Sequence, residues 1–131
     1  MNYQVCVIGA GTGGYVAAIR AAQLGAKVLL IERKDLGGVC LNRGCIPTKT
    51  LLKSAEKWQE LTHCEEFGMF VSEYAYDWDK IMERKNNVIY QLRSGVEKLI
   101  KSNKIELVDA TAHLLDAHNV HLATDNPGEE R

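Results

Sequence analysis

The sequence has little of what would mark it for nucleic acid, membrane or export. Sixteen Lys and Arg stand against 17 Asp and Glu in 131 residues, a formal net charge of -1. With the two signs scattered, no field attracts nucleic acid or an anionic membrane surface. No window approaches the roughly 18 apolar residues that a membrane helix needs. The start, Met1-Asn2-Tyr3-Gln4-Val5-Cys6-Val7-Ile8, has no basic residue ahead of its apolar stretch, as an export signal requires. Repeats and low-complexity segments are missing too. The four cysteines, Cys6, Cys40, Cys45 and Cys64, are spaced too irregularly for a disulfide-stapled secreted module. These absences predict a soluble, cytoplasmic chain with no nucleic-acid and no membrane partner.

What is present fits one domain. Apolar residues make up 46% and charged residues 25%, and a chain of this size buries roughly two-thirds of its unfolded surface. Tyr3 to Ile8 reads as a buried strand ending at a glycine cluster. Residues 12 to 25, rich in alanine and closed by Gly25, read as a helix, and Lys27 to Ile31 as a second buried strand. Together they predict a right-handed, parallel strand-helix-strand unit. Residues 33 to 44 read as glycine-rich and irregular. Pro47 sits just inside a helix predicted to run to about Glu60, and residues 61 to 76 are mixed. From Asp77 a long amphipathic helix is predicted, with Trp78, Ile81, Met82, Val88, Ile89, Leu92, Val96, Leu99 and Ile100 at three- and four-residue steps. Ile105 to Ala112 and Val120 to Ala123 read as strands around the turn Asp116-Ala117-His118-Asn119. Asn126-Pro127-Gly128 announces another turn.

Two motifs carry chemistry. The first is Gly9-Ala10-Gly11-Thr12-Gly13-Gly14, between the first strand and the first helix. Gly9 permits a tight turn, Gly11 lets a ligand pyrophosphate approach the backbone, and Gly14 allows close helix packing. The helix start beyond presents N–H groups and a positive dipole end. Glu32, at the end of the second strand, stands where a carboxylate accepts hydrogen bonds from a ribose diol and repels a 2′-phosphate. FAD or NAD therefore fits better than NADP. Without a ligand, Glu32 is simply a strand-end glutamate.

The second motif is the run Leu36 to Lys49, with Cys40 and Cys45 separated by four residues. They precede or open a helix, whose dipole favours thiolate. A disulfide over so short a loop would constrain the unfolded chain by only about 2 kcal/mol, which suits a switch better than a staple. A zinc site would need two further ligands, for which His63 with Cys64 is a poor pair. Two unrelated core cysteines are the plain alternative. Cys6 reads as a buried packing residue and Cys64 as a surface thiol. Surface or packing roles suit His63, His113, His118 and His121.

The run GGVCLNRGCIPTKTLL, with GAGTGG and Glu32, closely resembles the N-terminal part of the pyridine nucleotide-disulfide oxidoreductases. Within that family, Leu41-Asn42 and Ile46-Pro47-Thr48-Lys49 look most like the dihydrolipoamide dehydrogenases. Glutathione and mercuric reductases are similar but usually differ at these flanking positions. Thr12 departs mildly from the proline of many relatives. The resemblance covers essentially the whole chain and implies an α/β, Rossmann-like FAD/NAD(P)-binding three-layer fold, incomplete, with a long amphipathic helix and a C-terminal β-hairpin. Residues 1–131 would be the N-terminal portion of the FAD-binding domain.

The resemblance further implies that Gly9, Gly11 and Gly14 hold the FAD pyrophosphate and Glu32 the adenosine ribose, with Arg33 also among the cofactor-binding residues. Gly38, Val39 and Cys40 would line the cofactor, Lys49 would lie near the flavin N5 region, and Ala112 would meet the adenine. Lys49 outside such a motif would be a solvated helix lysine. Cys40 and Cys45 would form the redox disulfide, with Cys40 the interchange thiol and Cys45 facing the flavin. Dihydrolipoamide would be oxidised, with NAD as final acceptor. A lipoyl-bearing protein of a 2-oxoacid dehydrogenase or glycine cleavage complex would be the partner, and the full-length enzyme a homodimer. One glycine fingerprint is present where two would be needed, and the family's later histidine-glutamate pair is missing. Those gaps lead to the expectation of a fragment, inactive alone. A non-catalytic dinucleotide-binding module is the reading from outside enzymology.

Overall fold

A computed structural model describes residues 2–124, so the turn expected at Asn126-Pro127-Gly128 lies outside the described residues. Three parallel strands form the central sheet: β1 (Val5–Ile8), β2 (Val28–Glu32) and β3 (Glu106–Asp109), in the order β1-β2-β3. Val5 pairs with Val28 and Ile8 with Ile31, while Leu29 pairs with Glu106 and Glu32 with Asp109. Between β1 and β2 runs α1 (Thr12–Gln23). Its alanines form helix readily, and Gly25 ends the turn at φ +93°, donating to the Ala22 carbonyl at 2.9 Å. The parallel unit expected from the sequence is present.

Helices cover one face of the sheet. Val28 and Leu30 of β2 pack there with Ala18, with Leu36 and Leu41, and with Val96 and Ile100 of α4 (Trp78–Ser102). Leu30, Ile31 and Ile100 are fully buried, each stabilising the fold by roughly 1.5–3 kcal/mol. The antiparallel hairpin of β4 (Thr111–Leu114) and β5 (Val120–Ala123) covers the other face over β2. There Leu29 and Ile31 meet Ala110 and Leu122. Helices, sheet and hairpin make the three layers expected.

Four readings need correction. Tyr3 to Ile8 is not a uniformly buried strand: Val5 and Val7 face the helices, but Cys6 and Ile8 point to the hairpin side and are exposed. The hairpin packs on β2 and leaves them uncovered. The irregular stretch 33–44 contains a helix, α2 (Gly38–Arg43), directly followed by α3 (Cys45–Thr62). Ile105 to Ala112 is not one strand, because the chain leaves the sheet at Ala110, whose N–H donates to the Glu32 carbonyl at 3.0 Å, and turns into the hairpin. Finally, the apolar stripe of α4 is buried only toward its C-terminal half. Trp78, Leu92 and Leu99 are exposed, and Asp77 caps the start by accepting from the Lys80 N–H at 3.1 Å. After α3 comes a single 3-10 turn, Cys64–Phe67.

Candidate active site

The glycine loop joins the C-terminal end of β1 to α1. Gly9 sits at φ +94°, a conformation that a β-carbon disfavours, and its N–H donates to the Ile31 carbonyl at 2.7 Å. Gly14 faces the Gly9 carbonyl so closely that any side chain would run into it. Gly11, by contrast, has open space: a β-carbon there would approach only the Gly38 Cα, at 4.0 Å. Gly11 is also the cap residue of α1, whose first turn has no side-chain cap and no acidic residue. The orphan N–H groups of a helix start are therefore left to an anion, with no carboxylate competing. These features fit a pyrophosphate.

Glu32 works on this loop directly. One carboxylate oxygen accepts from the Ala10 N–H at 2.7 Å, and the other accepts from the N–H groups of Arg33 and Lys34, both at 3.0 Å. Arg33 itself is exposed. The carbonyl of the same Ala10 accepts from the Gly37 N–H at 2.8 Å. Ala10, itself fully buried, is thus stitched on one side to β2 and on the other to the cysteine segment.

That segment is brought together by the α2–α3 corner. Cys40 lies within α2 and Cys45 opens α3, and the two are joined by a disulfide with a Cα–Cα separation of 4.8 Å. The separation is within the normal disulfide range. Gly44 makes the corner possible, since a β-carbon on it would sit 3.2 Å from the Val39 carbonyl and 3.3 Å from the Cys40 Cα. Cys40 is half-buried, while Cys45, Val39 and Lys49 are exposed. Lys49 follows Cys45 by four residues in α3 and so shares its face. Ala112, paired with Leu122, is half-buried against β2 on the hairpin side, away from the helical face that α1 and α4 cover.

A polar network behind the cysteines escaped the sequence reading. Asn42 of α2 donates from Nδ2 to the carbonyls of Leu36 (3.0 Å) and Gly38 (2.8 Å). Its Oδ1 accepts from Nε (3.0 Å) and Nη2 (2.5 Å) of Arg93 on α4. Asp35 pairs with Arg93 at 3.3 Å and with Arg43 at 3.0 Å. The only signal was a polar Asn42 inside an otherwise tight motif. Nothing local linked it to Arg93.

The other two cysteines exchange their expected places. Cys6 is exposed rather than packed, although partial burial of its sulfur pushes the thiol pKa up. Cys64 is buried rather than on the surface, its thiol donating to the Leu61 carbonyl at 3.1 Å. His113 and His121 face each other across the hairpin, ring centroids 6.4 Å apart, and His63 bonds locally to the Gln59 carbonyl at 2.9 Å. No group of three or more His, Cys, Asp or Glu among the described residues could hold a metal ion. No described helix is long and apolar enough to cross a membrane.

The chain matches known proteins over nearly its whole length. The family model for pyridine nucleotide-disulphide oxidoreductases matches residues 3–130. A dihydrolipoyl dehydrogenase of Geobacillus stearothermophilus is 44% identical over 126 residues, covering 96% of this chain and 27% of its own length. One from Acholeplasma laidlawii is 46% identical over 120 residues, 91% of this chain and 36% of its own. Another, from Zymomonas mobilis, is 45% identical over 130 residues, with 99% and 28% covered. The chain therefore spans between a quarter and two-fifths of the length of these curated relatives.

Proposed function

This chain belongs to the pyridine nucleotide-disulphide oxidoreductases, and from that premise we propose that it supplies the FAD-holding and redox-disulfide parts of a dihydrolipoamide dehydrogenase. The observation that carries the reading is the physical join between the two motifs: the Cys40–Cys45 disulfide stands on a segment pinned to the glycine loop through Gly37 and Ala10. That join supports reading the pair as a two-electron switch beside a dinucleotide cradle.

In this reading Gly9, Gly11 and Gly14 shape the pyrophosphate cradle, and Glu32 with Arg33 borders the ribose. Gly38, Val39 and Cys40 would line the flavin, with Lys49 near its N5 region and Ala112 toward the adenine. FAD, if held here, would supply a two-electron acceptor for the reduced cysteine pair, with NAD as the final acceptor. A thiolate of dihydrolipoamide attacks the Cys40 sulfur; the Cys40–Cys45 bond breaks and Cys45 leaves as thiolate. The second substrate thiol then attacks its own partner sulfur and releases Cys40. Lipoamide departs with its ring disulfide closed, the two substrate protons are lost, and both cysteines are left reduced. The start of α3 favours the anionic form of Cys45. Lipoyl-bearing proteins of a 2-oxoacid dehydrogenase or glycine cleavage complex are the proposed partners, a homodimer the proposed full-length assembly, and the cytoplasm the proposed location.

The test is reduction of the FAD-loaded protein under anaerobic conditions, with thiols counted after denaturation. Dihydrolipoamide should raise the count from two to four, and glutathione at equal thiol concentration should do so far less. A count of four before any reductant, or equal response to both reductants, would remove the dihydrolipoamide assignment.

A further inference from the structure

We propose that Arg93 is a positioning residue for the Cys40–Cys45 pair, acting through Asn42 and anchored by Asp35; this rests on the redox reading of that pair. The chemistry of the partners fixes the roles in the network. A guanidinium can only donate, so it must meet the amide oxygen of Asn42. The carbonyls of Leu36 and Gly38 can only accept, so the amide nitrogen must face them. Arg93 therefore selects the one orientation of Asn42 that ties down both carbonyls. Those carbonyls flank Gly37, whose N–H holds Ala10, and Gly38, which abuts Gly11. One side chain from α4 thus bears on the segment that carries Cys40 and, through Gly37 and Gly38, on the glycine loop.

The fork of arginine matters here. Nε and Nη2 both serve Oδ1, and Nη2 also meets Asp35. Lysine could keep the charge but not this geometry. The consequence for redox chemistry is entropic. When residues 36–44 are held independently of the S–S bond, closing that bond fixes few further torsions. Without the clamp the reduced segment gains freedom, the disulfide loses ground, and the pair becomes easier to reduce.

The experiment equilibrates the chain with dithiothreitol buffers of graded oxidation state and quantifies Cys40 and Cys45 as thiols. In Arg93→Met the equilibrium constant for disulfide formation should fall about ten-fold, the scale of one hydrogen bond to a charged group, which is about 30 mV toward easier reduction. Arg93→Lys should recover part of the loss, and Asp35→Asn should shift the same way by less. Arg84→Met is the control. Arg84 also bridges α4 to its neighbour, but to α3 rather than α2, donating to the Thr50 carbonyl at 3.2 Å. It should lower stability and leave the redox midpoint in place. An Arg93→Met midpoint within two-fold of the parent overturns the inference, as does an equal shift in Arg84→Met. A parent disulfide that never exchanges with dithiothreitol instead overturns the redox reading itself.

Discussion

Gly38 lies directly against Gly11, so that a β-carbon on Gly38 would meet the Gly11 Cα at 2.7 Å, whereas a β-carbon on Gly11 would stand 4.0 Å from the Gly38 Cα. The contact is one-sided. Gly38, at φ +66°, is required by the fold, and Gly11, at φ -68°, is not. Replacing Gly38 by Ala should lower the melting temperature, while Gly11→Ala should melt like the parent yet lose FAD affinity, because its methyl group enters the space left for pyrophosphate. Thermal melts and fluorescence titration of FAD separate the two. Equal melting losses would mean that Gly11 also serves packing.

The four thiols should react in an order set by exposure. After reduction and without flavin, Cys45 should be alkylated before Cys40, since it is the more exposed and opens a helix. With FAD bound the order should reverse, because the flavin would cover Cys45. Cys6 should react chiefly at alkaline pH, its thiol pushed up by partial burial, and buried Cys64 only on unfolding. Mass spectrometry of timed iodoacetamide quenches reads all four. An unchanged Cys45 rate with FAD would reverse the roles given to the pair.

Glu32→Ala should reduce stability and dinucleotide affinity together. Its carboxylate holds the N–H groups of Ala10, Arg33 and Lys34, so the loop loses its support even before a ribose loses its acceptor. The affinity loss should be about ten- to a hundred-fold, as for a hydrogen bond to a charged group. Calorimetric titration at matched helix content measures it, and intact affinity would exclude Glu32 from the ribose site.

Asp116 makes the hairpin turn sensitive to acid. Its carboxylate accepts from the Asn119 side chain and from the N–H groups of His118 and Asn119, and these bonds, the Asn119 side chain first, hold its pKa below the usual aspartate value. A lowered folded pKa means that the stabilisation is complete above the unfolded value and is lost as pH falls through the folded one. The hairpin amides should therefore lose hydrogen-exchange protection only below about pH 4, and Asp116→Asn should flatten that dependence. Loss of protection well above pH 4 would exclude Asp116 as its cause.

The glycine loop and the cysteine pair were legible because each is a local pattern whose spacing states its geometry. The strand-helix-strand unit and the hairpin followed from periodicity and turn residues. What stayed hidden depends on where distant elements land. Cys6 alternates correctly in β1, but its exposure was decided by a hairpin that packs on β2. Cys64 looked like a surface thiol because nothing in its neighbourhood announces the 3-10 turn that buries it. The six residues of α2 follow Gly37 and begin with Gly38, both at positive φ, so local propensity opposes a helix that Asn42 and the Cys45 bond secure. Nothing in the apolar periodicity of α4 set Arg93 apart.

The sheet order β1-β2-β3 has a kinetic corollary. β2 and β3 are neighbours in space, yet α2, α3 and α4 all lie between them in the chain. Zipping Glu32 against Asp109 must close that whole excursion, a non-local step that topology makes slow. β1, α1 and β2 can assemble before it, from contacts close in sequence. The glycine loop thus ranks among the early-forming parts, whereas Arg93 reaches Asn42 only once α4 has docked. During refolding, the cysteine pair should exchange freely with added thiols until that late collision, and then fall under the discipline of the finished fold.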